Sequence, residues 1–215
     1  HSESIRAAGG DVGFCVCDVA KIDDVARLKE TVGRMLGPIA ILVNNAGVAR
    51  SAKFPDTDEA MWQSILDINL TGAYRTTRAF WADVVAAGSR GRIINIASVA
   101  AKIGFLYSSA YCASKHGLLG LTRALAIELA KKGPTANCVC PGWVDTAMGQ
   151  RAVDNIATAT GAAAAAARGQ LESMSPQKRL MTPEEVSRLT LYLASDAARG
   201  VTGQAWNVDG GAVMY

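Results

Sequence analysis

Short apolar runs alternate with longer helical stretches from one end of the chain to the other. Residues 12–17, 39–43, 92–97, 136–140 and 205–208 are mostly apolar and bounded by Gly, Pro or Asp, which predicts strands buried on both faces. Residues 22–36, 58–87, 109–132 and 183–195 read as helices. Two boundaries carry specific signals. Thr182 precedes Pro183, with Glu184 and Glu185 in the first turn, as a capped helix start requires. Gly133-Pro134 stops the helix that runs up to Lys132. Strand–helix alternation at this spacing predicts an α/β fold, a doubly wound parallel sheet with helices on both faces, in one domain spanning 1–215.

Residues 147–181 break the pattern, with Gly161, six alanines at 162–167 and Gly169. Alanine favours helix by propensity alone, so a solvent-side helix pair accounts for the composition. Position after a strand end favours a lid over a site, because ligands of open α/β sheets bind at the carboxyl ends of strands.

Composition narrows the class. The chain has 215 residues, 50% hydrophobic and 19% charged, which suits a folded core and excludes a disordered chain. A net charge of +3 with scattered lysines and arginines lacks the clustered basic face of a nucleic-acid binder. No apolar run reaches the roughly 18 residues of a membrane span, and no signal peptide opens the chain. The five cysteines sit mostly in apolar runs, which points to buried thiols in a reducing, cytoplasmic setting. Cys15 and Cys17, like Cys138 and Cys140, are expected on a strand face in the core, since zinc turns use Cys-x-x-Cys. Metal is therefore not expected.

The chemistry centres on Tyr111 and Lys115. A spacing of four puts both on one helix face. A nearby ammonium is expected to lower the phenol pKa from about 10 towards the working range of an acid–base group. The pair alone is weak, but its context is not. Ser98 ends the run 92–97, where its hydroxyl can share a substrate oxygen with Tyr111. Asn69 lies inside a predicted helix where asparagine is a mediocre former; it is a kink or a relay. Asn45, Ala46 and Gly47 follow the run 39–43, and small residues there allow a ligand close approach. Asp18 and Val19 follow the run 12–17, where the carboxylate either meets an adenine amino group or caps the next helix. Pro141 and Gly142 turn the chain at the end of another strand. These positions fall on one rim of the sheet. His116 packs or faces solvent, His1 is terminal, and no Gly-x-Ser-x-Gly elbow supports a serine hydrolase.

Asn-Asn-Ala-Gly at 44–47, Asn69, Ser98, Tyr111-x-x-x-Lys115, Pro141-Gly142-x-x-x-Thr146 and Asn-Val-Asp-Gly-Gly at 207–211 occur in order. Together they resemble the short-chain dehydrogenase/reductase family over essentially the whole chain, which implies a Rossmann-type domain using NAD or NADP. By that resemblance Tyr111 is the general acid or base, Lys115 tunes it and holds the nicotinamide ribose, Ser98 orients the carbonyl, and Asn69 anchors a water relay. Asp18 and Asn45 would meet the adenosine half and Val144 and Thr146 would hold the carboxamide, with Val19, Ala46, Gly47, Pro141 and Gly142 also on the cofactor. The cofactor supplies hydride.

Within the family the sequence looks like 3-oxoacyl thioester reductases and polyketide ketoreductases, so the implied substrate is a ketone or alcohol, preferably a β-keto acyl thioester. A small secondary alcohol, sugar or steroid-like ketone is the alternative, and a redox-inactive dinucleotide sensor or scaffold is the non-enzyme one. The resemblance also implies a homotetramer or dimer built on the helices at 58–87 and 109–132. The family's Thr-Gly-x-x-x-Gly-x-Gly loop does not occur in this sequence. With a start that is not Met and maps into mid-helix, this leads to the expectation that about 45 residues of a typical member are lacking, with the choice between NAD and NADP among them.

Overall fold

The computed structural model describes residues 2–215; the terminal His1 lies outside the described residues. The elements run α1 (Ser2–Ala7), α2 (Ile22–Met35), β1 (Ile41–Asn44), α3 (Glu59–Leu66), α4 (Gly72–Ala86), β2 (Arg92–Ile96), α5 (Ser109–Leu129), β3 (Thr135–Pro141), α6 (Ala147–Thr160), α7 (Ala164–Ser173), α8 (Pro183–Ala194) and β4 (Ala205–Val208). The four strands form a parallel sheet in the order β1-β2-β3-β4.

Alternation along β2 and β3 sorts side chains to the two faces. Ile93 and Ala136 pack with Val84, Ala126 and Leu129, on α4 and α5. Cys138 and Cys140 join Ala73, Leu118 and Leu119 on the same side. Ile94 and Val139 face the opposite way, onto Leu193 of α8 and Ala198. Both middle strands are thus covered twice, which is why their sequences read as mostly apolar runs. Helix α8 starts with a capping box: the Thr182 hydroxyl accepts from Glu185 N and the Glu185 carboxylate accepts from Thr182 N.

A polar row crosses the sheet under α4 and α5. Asn44, Asn95 and Cys138 stand side by side in register. Asn44 Nδ2 donates to Asn95 Oδ1 at 2.8 Å, and Asn95 Nδ2 donates to Thr122 Oγ1 of α5 at 2.7 Å. Thr76 of α4 donates to Asn44 Oδ1 at 2.6 Å, and Thr122 Oγ1 lies 3.0 Å from Cys138 Sγ. Because Thr76, Asn95, Thr122 and Cys138 are buried and Asn44 partly so, these groups find their partners inside the protein, and the row fixes both helices against the sheet.

The predicted strand at 12–17 does not form. The segment is extended but has no ladder partner, and Phe14 and Val16 are 72% and 77% exposed. An apolar run becomes a strand only when a neighbour takes its backbone hydrogen bonds, and no strand of the sheet lies beside this one. Cys15 and Cys17 are accordingly only half-buried, in contrast to Cys138 and Cys140. Likewise β1 has one paired edge, and Ile41 and Val43 are each 42% exposed. The expected helix at 58–87 is three pieces: α3, a π-turn at Asp67–Thr71, and α4. No helix among the described residues is long and apolar enough to cross a membrane.

Candidate active site

All four strands are parallel, so their carboxyl ends make one rim, and the chain leaves it at Asn45, Ser98 and Gly142. Ser98 follows β2 in extended conformation and caps a short helical turn, its Oγ accepting from Ala100 N at 3.1 Å. Tyr111 and Lys115 stand one turn apart near the start of α5, the Lys115 Nζ 5.8 Å from the phenol ring centre. Lys115 is buried and donates to Ile96 O, the carbonyl that ends β2, at 2.9 Å. An ammonium has three donors, so two remain for a ligand hydroxyl pair.

Asn69 is braced inside this group. Its Oδ1 accepts from Val48 N at 2.8 Å, while Nδ2 donates to Val48 O at 2.9 Å and to Ser114 Oγ at 3.0 Å. Ser114 in turn donates to Tyr111 O at 2.7 Å. The π-turn explains how a residue in mid-helix reaches inward: one extra residue per turn widens the helix locally and re-aims the side chain. Sequence reasoning found Asn69 but missed Ser114 and Val48. A hydroxyl three residues past the tyrosine was the only signal for Ser114, and Val48 contributes backbone alone.

Electrostatics correct one expectation. Burial is the largest effect on Tyr111 and pushes its phenol above the ordinary value, with a hydrogen bond from Ser98 pulling part of the way back. Burial also lowers Lys115 to about 8. The lysine does not depress the phenol here, because desolvation of both groups favours their neutral forms.

The remaining predicted positions divide into two sets. Gly47 lies close to the centre: a Cβ there would come 3.3 Å from Asn69 Oδ1 and 3.6 Å from Lys115 Nζ. Pro141 ends β3, and a Cβ on Gly142 would lie 2.9 Å from Asp209 Cβ, so only glycine fits. Val144 bridges to Met181, and Thr146 caps α6 by accepting from Gly149 N. Of these, Gly142 lines a cavity next to Val99. Asn45 and Ala46 are exposed on the turn after β1. Asp18 does not end a strand. It forms a local turn, its Oδ1 accepting from Ala20 N and its own N–H donating to Asp24 Oδ2. It does not cap α2 either, whose N-cap is Lys21 without a side-chain bond. Val19 packs over the start of α4, where a Cβ on Gly72 would come within 2.7 Å of its Cγ2. His116 is exposed, with Nδ1 2.9 Å from Cys112 O.

Beside Ser98 lies a cavity of about 190 Å³, lined by Val99, Phe105, Trp143, Met174 and Met181, with Asp209 at its edge. Phe105 and Trp143 meet edge to face, 6.4 Å between ring centres, and Trp143 Nε1 donates to Met174 Sδ. A buried ammonium with spare donors beside a glycine cradle suits the sugar and carboxamide half of a nicotinamide dinucleotide. No glycine-rich pyrophosphate loop accompanies it in this sequence.

Residues 1–213 match a family model described as enoyl-(acyl carrier protein) reductase. The chain is 38% identical over 205 residues to the D-beta-hydroxybutyrate dehydrogenase of Cupriavidus necator, covering 93% of this chain and 78% of that protein. It is 36% identical over 211 residues to the acetoacetyl-CoA reductase of Allochromatium vinosum, covering 98% and 81%. A crystal structure of a point variant of actinorhodin polyketide ketoreductase with NADPH superposes with a TM-score of 0.94 at 35% identity, covering 99% of this chain and 82% of that one. The chain belongs to the short-chain dehydrogenase/reductase family.

Proposed function

We propose that the protein interconverts a ketone and a secondary alcohol with NAD or NADP, and that its substrate is a 3-oxoacyl thioester. The observation that carries the reading is the convergence, where β2 ends, of the buried Ser98 and Lys115 with a half-buried Tyr111 whose phenol is held neutral by desolvation. When bound, a nicotinamide dinucleotide would supply or accept the hydride. Lys115, Val144 and Thr146 hold its nicotinamide end, and Asp18, Val19, Asn45 and Ala46 border its adenosine end. Ser98 donates to the carbonyl oxygen and orients it. Tyr111 gives its proton to that oxygen in reduction and takes it back in oxidation. Asn69 holds the first turn of α5 through Ser114, so the phenol stays aimed. The preference for an acyl thioester draws on the relatives that act on acetoacetyl-CoA and polyketides, and on the apolar cavity beside Ser98.

We read residues 1–215 as one domain, with 147–181 as a lid over the cleft. Apolar side chains left exposed on α4 and α5 (Tyr74, Ile127) and around α8 and β4 (Leu191, Trp206) support assembly into a homotetramer. Five free cysteines support a cytoplasmic setting.

Replacing Tyr111 with Phe tests the central reading, with acetoacetyl-CoA as the ketone and NADPH or NADH followed spectrophotometrically. Turnover is expected to fall at least about a hundredfold while dinucleotide affinity holds. Unchanged turnover would refute the assignment. Dinucleotide binding without turnover in the unmodified protein would instead mark a dinucleotide-sensing protein.

A further inference from the structure

Helices α6 and α7 reach the rest of the protein through a small apolar core and a polar seam. The core is Val153, Ala167, Leu171 and Leu180, with Trp143 packed against it. The seam pairs the chain entering α8 with the chain leaving β3: Met181 N donates to Trp143 O at 2.8 Å, and Asp145 N donates to Met181 O at 2.9 Å. Helix α7 contributes little apolar anchorage, since its first turn is alanine and only Ala167 and Leu171 are buried.

Arg168 supplies what the alanines lack. Its Nη1 and Nη2 donate to Oδ1 and Oδ2 of Asp145 at 3.3 and 2.8 Å, a two-pronged pair between residues 23 apart. Its Nε donates to Glu172 one helical turn on, at 3.0 Å, which holds the guanidinium plane in the pairing orientation. Asp145 is flanked by Val144 and Thr146, and Thr146 is also the cap of α6. One guanidinium therefore ties the second lid helix to the segment from which the first lid helix starts. An exposed ion pair adds little to global stability, but the opening of a lightly packed segment is decided by contacts of this size.

We propose that Arg168 is a positioning residue: its fork on Asp145 clamps α7 to the 144–146 segment, so that lid closure and ordering of the cofactor-side segment occur together. The coupling half rests on the reading of Val144 and Thr146 as cofactor-side residues given above. The clamp half rests on geometry alone.

Hydrogen exchange on the ligand-free protein separates the two. Arg168→Gln is expected to speed amide exchange in 164–173 roughly threefold to tenfold, with exchange in β2 and β3 unchanged. Asp145→Asn is expected to match it, and the double variant to add little further. Arg168→Lys keeps the charge without the fork and is expected to restore only part of the protection. Unchanged exchange in Arg168→Gln, or full additivity with Asp145→Asn, would overturn the clamp. In the wild type, saturating NADPH is expected to protect 164–173 as well as 144–146, and in Arg168→Gln to protect 144–146 only. Protection of 164–173 that survives in Arg168→Gln would overturn the coupling. A wild-type chain that binds neither NADPH nor NADH would overturn the cofactor-side reading and the coupling with it, while the ligand-free exchange still decides the clamp.

Discussion

The Lys115 ammonium stands 5.8 Å from the centre of the Tyr111 ring, and burial moves the two groups in opposite directions. The phenol goes up and the ammonium comes down to about 8, each towards its neutral form. A neutral phenol is a proton donor through the whole physiological range. Carbonyl reduction is therefore expected to be flat from about pH 6 to 8 and to decline only in the alkaline range. Alcohol oxidation needs the phenolate, so it should rise by about tenfold per pH unit until the phenol titrates. Initial rates in both directions across that range check this. An oxidation rate independent of pH would contradict it.

Stability should carry the mark of the same lysine. Its pKa is about 8 in the folded protein against 10.5 as the ordinary value, so the unfolded chain holds the extra proton between those limits. Stability is then expected to increase with pH from about 8 to 10.5 and to be lost again as pH falls through 8. The buried charge costs roughly 3 kcal/mol below that window. Lys115→Met removes the slope and should stabilise the fold at neutral pH while abolishing activity. Urea unfolding of both proteins at pH 7 and pH 10 measures the difference. An equal gap at the two values would be the contrary result.

Asn69 satisfies both backbone groups of Val48 and the Ser114 hydroxyl from a fully buried position. Asn69→Leu leaves those groups without partners and is expected to cost about 2–4 kcal/mol. Asn69→Asp retains the acceptor for Val48 N but loses both donors, so its loss should also be substantial. Chemical denaturation reads both.

The row from Asn44 to Thr122 makes a quantitative claim about coupling. Asn95→Val and Thr122→Val should each destabilise by about 1–3 kcal/mol. Together they should cost less than their sum by about 1 kcal/mol, because the second change removes a group already stranded by the first. Simple additivity would mean that the 2.7 Å contact between them contributes nothing.

Much of the architecture was legible because β2 and β3 are covered on both faces, which writes burial directly into residue type. Residues 12–17 show where that reading stops. Their composition is that of a strand, but hydrogen bonding needs a neighbour, and composition does not report one. The same limit misplaced Cys15 and Cys17 while locating Cys138 and Cys140 correctly. At the site, a spacing of four was enough to place Tyr111 beside Lys115. The direction of their pKa shifts was not legible, since it depends on how deeply the rest of the fold buries them. Contacts between distant elements, Asn95 with Thr122 and Arg168 with Asp145, leave no local periodicity to read.

The π-turn at Asp67–Thr71 has a consequence for how the gene can change. Deleting one residue there would restore a regular α-helix, which in isolation is the better-bonded structure. Because the turn absorbs its extra residue within itself, α4 would keep nearly the same phase, and the loss would fall on the bulged residues, Asn69 among them. Asn69 would no longer be aimed at Val48 and Ser114, and its three hydrogen bonds would be lost. A single-codon deletion in this stretch should therefore be selected against even where substitutions are tolerated, so that chain length here is constrained as tightly as the identity of Asn69.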